Sequence, residues 1–121
     1  MPLLGFMKVN APKVESGEKR CTIRALRKDK RDPKRGETLY IYTGLRSKSC
    51  RKLVTPDPVC KKARPIWFDS RAGVFIQDVG YLKHTELESL AKADGFDCVK
   101  DFIEFFKKKH GFPFRGLLIE W

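Results

Sequence analysis

The chain has 121 residues, 41% of them hydrophobic and 12% aromatic, which suffices for one buried core and leaves no length for a second domain. Lysine and arginine number 26 against 15 acids, a net charge of +11 that excludes an acidic solvating segment and favours anionic partners. Residues 1–7 have neither a basic n-region nor an apolar stretch long enough for a secretory signal, and no apolar run has the length of a membrane span, so a cytoplasmic protein without a membrane partner is expected.

In chain order, the first expected strand covers residues 22–26 and is followed by a charged loop that ends in Lys34-Arg35-Gly36-Glu37. A second strand over 38–43 alternates Leu39 and Ile41 against Tyr40 and Tyr42. Prolines at 56 and 58 punctuate a connection, after which residues 63–68 and 74–79 read as two strands joined by a turn at 69–73. Thr85 and Glu88 have capping-box spacing, so a short helix is expected to start there, with Leu87, Leu90 and Ala91 on one face and an end near Asp94-Gly95. Asp97 is expected to cap a second helix, whose Val99, Phe102, Ile103 and Phe106 recur at helical spacing and whose Lys107, Lys108 and Lys109 suit the negative end of its dipole. An apolar strand over 116–121 closes the sheet.

All of the charge excess lies in one block. Residues 19–64 hold 16 bases and four acids, a net of +12, and the remainder of the chain nets −1. Solubility does not require such segregation, whereas a polyanion would use it. Pro33, Gly36, Pro56, Pro58 and Pro65 interrupt the block, which therefore has no amphipathic helical face for a membrane. RNA or another single-stranded nucleic acid is the expected partner. The candidate contacts are Arg24, Arg27, Lys28, Lys30, Arg31, Lys34, Arg35, Arg46, Lys48, Arg51 and Lys52. An acidic protein docking on the same face is the alternative for a non-enzymatic role.

Walker A, GxGxxG, HExxH and GxSxG motifs are absent, which removes P-loop, Rossmann, zincin and serine-hydrolase chemistry. The four cysteines, Cys21, Cys50, Cys60 and Cys98, form no CxxC pair, so reduced thiols, no metal and no cofactor are expected.

The segment Gly17-Glu18-Lys19-Arg20-Cys21-Thr22-Ile23-Arg24 resembles the GxKxxTIR signature of the ASCH domain, a PUA-like family. Further likenesses keep the family's order: Arg35-Gly36-Glu37 before a strand, Tyr42-Thr43-Gly44-Leu45-Arg46 at a turn, Ala93-Asp94-Gly95-Phe96 at an acidic turn, and Leu118-Ile119-Glu120-Trp121 at the closing strand. The resemblance implies one α+β domain over residues 1–121, a mixed β-barrel with two helices near its C-terminus. It implies either binding of RNA or of a modified nucleoside in a basic cleft, or hydrolysis, since some small members are amidohydrolases on N-acylated cytidine and others are nucleases. The amidohydrolase members use a Lys, a Thr and a Glu, and the motifs carry these roles to Lys19, Thr22 and, one methylene shorter, Asp94. The shorter acid is expected to fall about 1.5 Å short of Lys19 unless the backbone at Asp94-Gly95 moves inward. On a strand Thr22 and Arg24 share a face, with Cys21 and Ile23 opposite, so Lys19 has to sit on the preceding turn to reach Thr22. Sixteen bases in one half exceed the needs of an enzyme for free nucleosides and favour a polymeric substrate.

Overall fold

The apolar run at residues 117–119 forms the centre of the molecule, because as a strand it presents apolar side chains on both faces. The structure, a computed structural model, describes residues 3–6, 10–26, 32–44, 48 and 50–121. It contains β1 (Leu3–Phe6), α1 (Ala11–Ser16), β2 (Cys21–Ala25), β3 (Tyr40–Thr43), β4 (Arg51–Lys52), β5 (Lys62–Phe68), β6 (Val74–Ile76), β7 (Gly80–Tyr81), α2 (His84–Ala93), α3 (Val99–His110) and β8 (Phe114–Glu120).

Five strands form one antiparallel sheet in the order β2-β8-β5-β6-β7, and a second sheet has the order β1-β3-β4, with β1 parallel to β3. On β8, Leu117 and Ile119 face a core shared with Leu4, Leu39 and Ile41 of the smaller sheet, while Leu118 faces Ile66, Phe68 and Phe102 beneath the helices. The larger sheet is therefore covered by strands on one face and by α2 and α3 on the other. Gly116 lets β2 and β8 approach closely: a Cβ there would lie 2.6 Å from the Arg24 carbonyl oxygen and 3.0 Å from the Phe114 ring. Thr43 joins β3 to β1 through a buried hydroxyl that donates to the Phe6 carbonyl at 2.8 Å.

The expected α+β class is observed, with differences in architecture. Among the described residues no strand ladder joins the two sheets, so the strands form two layers rather than a closed barrel. A third helix, α1, precedes β2, with Gly17 left-handed at its C-terminus. The strand expected over 74–79 ends at Ile76, and a turn returns the chain as β7, where Gly80 supplies a left-handed residue. Helix α2 is capped at Lys83, two residues before Thr85: the Lys83 N–H donates to Glu86 Oε1 at 3.0 Å, and Glu88 instead pairs with His84. Cys98 occupies the N-cap of α3, one residue after Asp97, and makes no side-chain capping bond.

Candidate functional site

Two lysines fasten the C-terminal end of α2. Helix ends leave carbonyls without intrahelical partners, and here the Lys13 ammonium donates to the Gly95 carbonyl and the Lys19 ammonium to the Asp94 carbonyl, each at 2.7 Å. Gly95 has φ +89°, and a Cβ there would meet the Lys19 and Lys13 stems at 3.4 and 3.6 Å. Both the left-handed turn and the approach of the lysines thus favour glycine. Lys19 lies on the turn between α1 and β2, as its expected reach toward Thr22 requires.

The same ammonium donates to Asp94 Oδ1 in an ion pair that is almost sealed from water, with Lys19 3% and Asp94 5% exposed. The expected shortfall of the aspartate does not occur. Lys19 reaches the main-chain carbonyl and the carboxylate of Asp94 together, so the missing methylene is made up by the position of the turn. Burial raises the Asp94 pKa to about 6, opposed by the Lys19 and Arg24 charges. Burial similarly pushes the Cys21 thiol, on the opposite face of β2, up to about 12, so it is a core thiol and no nucleophile.

Thr22, 5% exposed, lines the same cavity. Its register partner is Ile119 and that of Arg24 is Leu117, which puts both on one face of β2 as alternation requires. Arg24 Nε donates to Thr22 Oγ1 at 3.2 Å, and Arg24 Nη2 donates to the Gly5 carbonyl at 2.6 Å. The Arg24 guanidinium and the Lys19 ammonium lie 4.9 and 5.7 Å from the centroid of the Phe6 ring, which the two cations share. The cavity holds about 290 Å³ beside β2, the edge strand of the larger sheet among the described residues, and Phe96, Phe105 and Lys109 complete its wall. The Lys109 ammonium lies 5.5 Å from the Phe105 centroid. A second cavity of about 280 Å³ shares Ile23, Arg24 and Lys109 with the first and continues past Pro33 and His110. Burial and the Lys109 charge lower the His110 pKa, and its ring stacks on Phe114 at 4.1 Å.

The three residues carried over from the family resemblance, Lys19, Thr22 and Asp94, are thus brought into one cavity. Arg24, expected as a nucleic-acid contact on the same strand face as Thr22, is a half-buried wall of it. The remaining basic candidates are dispersed. Lys34 and Arg35 are exposed beside a shallow cavity with Pro33 and Pro65, and Lys48 is exposed. Arg51 pairs with Glu15 at 2.8 Å and Lys52 with Asp57 at 3.0 Å, so these two cations are partly neutralised by acids outside their strand. Arg27, Lys28, Lys30, Arg31 and Arg46 lie outside the described residues. Phe6, Phe96, Phe105 and Lys109 are not among the site residues expected from the sequence. For Lys109 a signal was present but was assigned to the helix dipole, and for Phe6 no periodicity marks β1.

Comparison of the chain with protein-family models, with curated proteins and with solved structures finds no match.

Proposed function

We propose that this protein binds RNA, or a modified nucleoside derived from it, by taking one base into the cavity at the Lys19–Asp94 pair. The observation that carries this reading is the cavity's composition: charged and hydroxyl groups of Lys19, Thr22, Arg24 and Asp94 converge within walls formed by Phe6, Phe96 and Phe105. A base needs both, a hydrogen-bonding edge matched by donors and acceptors and a flat apolar face matched by rings. A volume of about 290 Å³ suits a nucleoside. The +12 charge of residues 19–64 supplies attraction for the phosphates of a polymer. The GxKxxTIR likeness at residues 17–24 supports assignment to the ASCH family and to its PUA-like fold type. Fluorescence anisotropy of a labelled single-stranded RNA across salt concentrations tests the proposal. Contact with about six phosphates predicts a loss of affinity on the order of a thousandfold between 50 and 200 mM salt, and absence of binding at low salt contradicts it.

One observation favours a second reading, hydrolysis of an acylated cytidine amide: Lys19, Thr22 and Asp94 share the cavity. In the pair Lys19 is an ammonium, so it must pass a proton to Asp94 before it can take one from Thr22. The raised Asp94 pKa eases that transfer. Thr22 Oγ1 would then attack the amide carbonyl, with Arg24 Nε already donating to that oxygen. The amine would leave with the proton returned from Lys19, and water would release the acyl group from Thr22. Release of cytidine from its N-acetyl derivative, abolished in Lys19→Ala and Thr22→Ala, is the outcome this reading requires.

A further inference from the structure

A row of three aromatic rings and one guanidinium crosses the larger sheet in register. Tyr81 on β7 stands opposite Phe75 on β6, Phe75 opposite Trp67 on β5, and Trp67 opposite Arg115 on β8. The ring centroids are 5.3 Å apart for Tyr81 and Phe75 and 5.4 Å apart for Phe75 and Trp67, and Arg115 lies 5.3 Å from the Trp67 centroid. Ile66, Phe68, Val74 and Ile76 alternate with these residues and fill the core under the helices, so the row occupies the opposite face.

Farther along β5 and β8 that opposite face is covered by the smaller sheet, through Leu117 and Ile119. The aromatic row belongs to neither core. Tyr81 is 64% exposed, Trp67 and Phe75 are half-buried, and Arg115 is exposed. Cross-strand ring pairs brace a sheet, which accounts for Trp67 against Phe75. It accounts for Tyr81 only in part, since that ring meets Phe75 edge to face yet is 64% exposed on the two-residue strand β7. Pro65 precedes Trp67 on the same face by one pleat repeat, about 7 Å, and it lines the shallow cavity that also carries Lys34 and Arg35. Cations therefore flank the row at Arg115 and beyond Pro65. Of the nearby acids, Asp32 lines the shallow cavity beside Lys34 and Arg35, Asp69 accepts from the Arg71 and Gly73 N–H groups of its own turn, and Asp78 lies on the β6–β7 turn.

We infer that this ladder is a stacking platform for unpaired bases of single-stranded RNA, with the phosphates of the strand directed to Arg115, Lys34 and Arg35. The inference rests on the RNA reading above and adds a second contact surface outside the cavity. Rings offer a face to any base, and nearby cations hold the backbone, so the platform extends affinity without reading sequence. Duplex RNA has its base faces already stacked and gains nothing from it.

The test uses the full chain, an unlabelled eight-nucleotide single-stranded RNA and a duplex of the same sequence, with tryptophan emission and sedimentation recorded together. The chain has two tryptophans, and Trp121 is buried against Phe6, so stacking reads out on Trp67. The single strand is expected to quench the wild type and not Trp67→Phe, and the duplex to quench neither. Tyr81→Ala, at an exposed ring, is expected to weaken single-strand binding by about 5- to 100-fold. If single-stranded RNA sediments with the protein but leaves Trp67 unquenched and binds Tyr81→Ala as it does the wild type, the platform is overturned and the RNA reading stands. If neither RNA binds, both fall. Self-association without RNA that shields Trp67 from a small quencher assigns the row to a protein interface and also overturns the platform.

Discussion

Lys19 and Asp94 carry opposite charges on buried side chains, and desolvation of the two ions offsets much of their attraction. Removing one partner strands the other. Lys19→Met is therefore expected to cost about 3–5 kcal/mol in urea unfolding, and addition of Asp94→Leu to recover most of that loss. The pH dependence has a definite sign. Because the folded Asp94 pKa lies near 6, above the ordinary 3.8, the folded state holds the proton more firmly than the unfolded chain. Its contribution to stability is complete below pH 3.8 and is lost as pH rises through about 6. Thermal melts of wild type and Asp94→Asn should show the wild type losing ground to the variant over that interval. A constant difference would show that the carboxylate titrates in the fold as it does in the unfolded chain. Asp94→Glu inserts a methylene where Lys19 already meets both the carboxylate and the carbonyl, with an expected cost of about 1–3 kcal/mol from overpacking.

At the scale of elements, the cavity depends on β2 and on the α2 terminus held by Lys13 and Lys19. Gly116 holds β8 close to β2. Gly116→Ala would press a Cβ to 2.6 Å from the Arg24 carbonyl, displacing the strand that carries Thr22 and Arg24. Unfolding at lower urea by about 1–3 kcal/mol, with loss of RNA affinity, is the expected outcome. Much of this framework is legible in the sequence because alternation and helical spacing are strong there: Leu39 against Tyr40, and Phe102 with Phe106. Residues 3–16 are not legible. Four strand residues and a six-residue helix are too short for a period to emerge, and their burial is decided by the smaller sheet. The start of α2 is misplaced by the sequence because Thr85 and Glu88 have the right spacing, while Glu86 reaches the Lys83 N–H first. Lys19, Thr22 and Asp94 were legible only through family likeness, since strand parity alone cannot bring a turn lysine to a residue 75 positions away.

At the scale of the whole molecule, charge segregation in the chain becomes, among the described residues, a mixture of exposed and paired cations. Lys34 and Arg35 are exposed beside a cavity, whereas Arg51 and Lys52 already hold Glu15 and Asp57. Neutralising Lys34 and Arg35 together is therefore expected to lower the salt slope of RNA binding by about two, and neutralising Arg51 and Lys52 to lower it by less. Equal effects of the two pairs in a salt titration would show that the ion pairs open on binding.

Entry of a base into the cavity at the Lys19–Asp94 pair is the central expectation. Amide chemical-shift mapping of the labelled protein, titrated with a short single-stranded RNA and with cytidine alone, measures it. Cytidine is expected to move the amides of Thr22, Arg24, Gly95 and Phe96, and RNA to move the same four along with others. Shifts that leave these four unchanged while RNA binds elsewhere would contradict it.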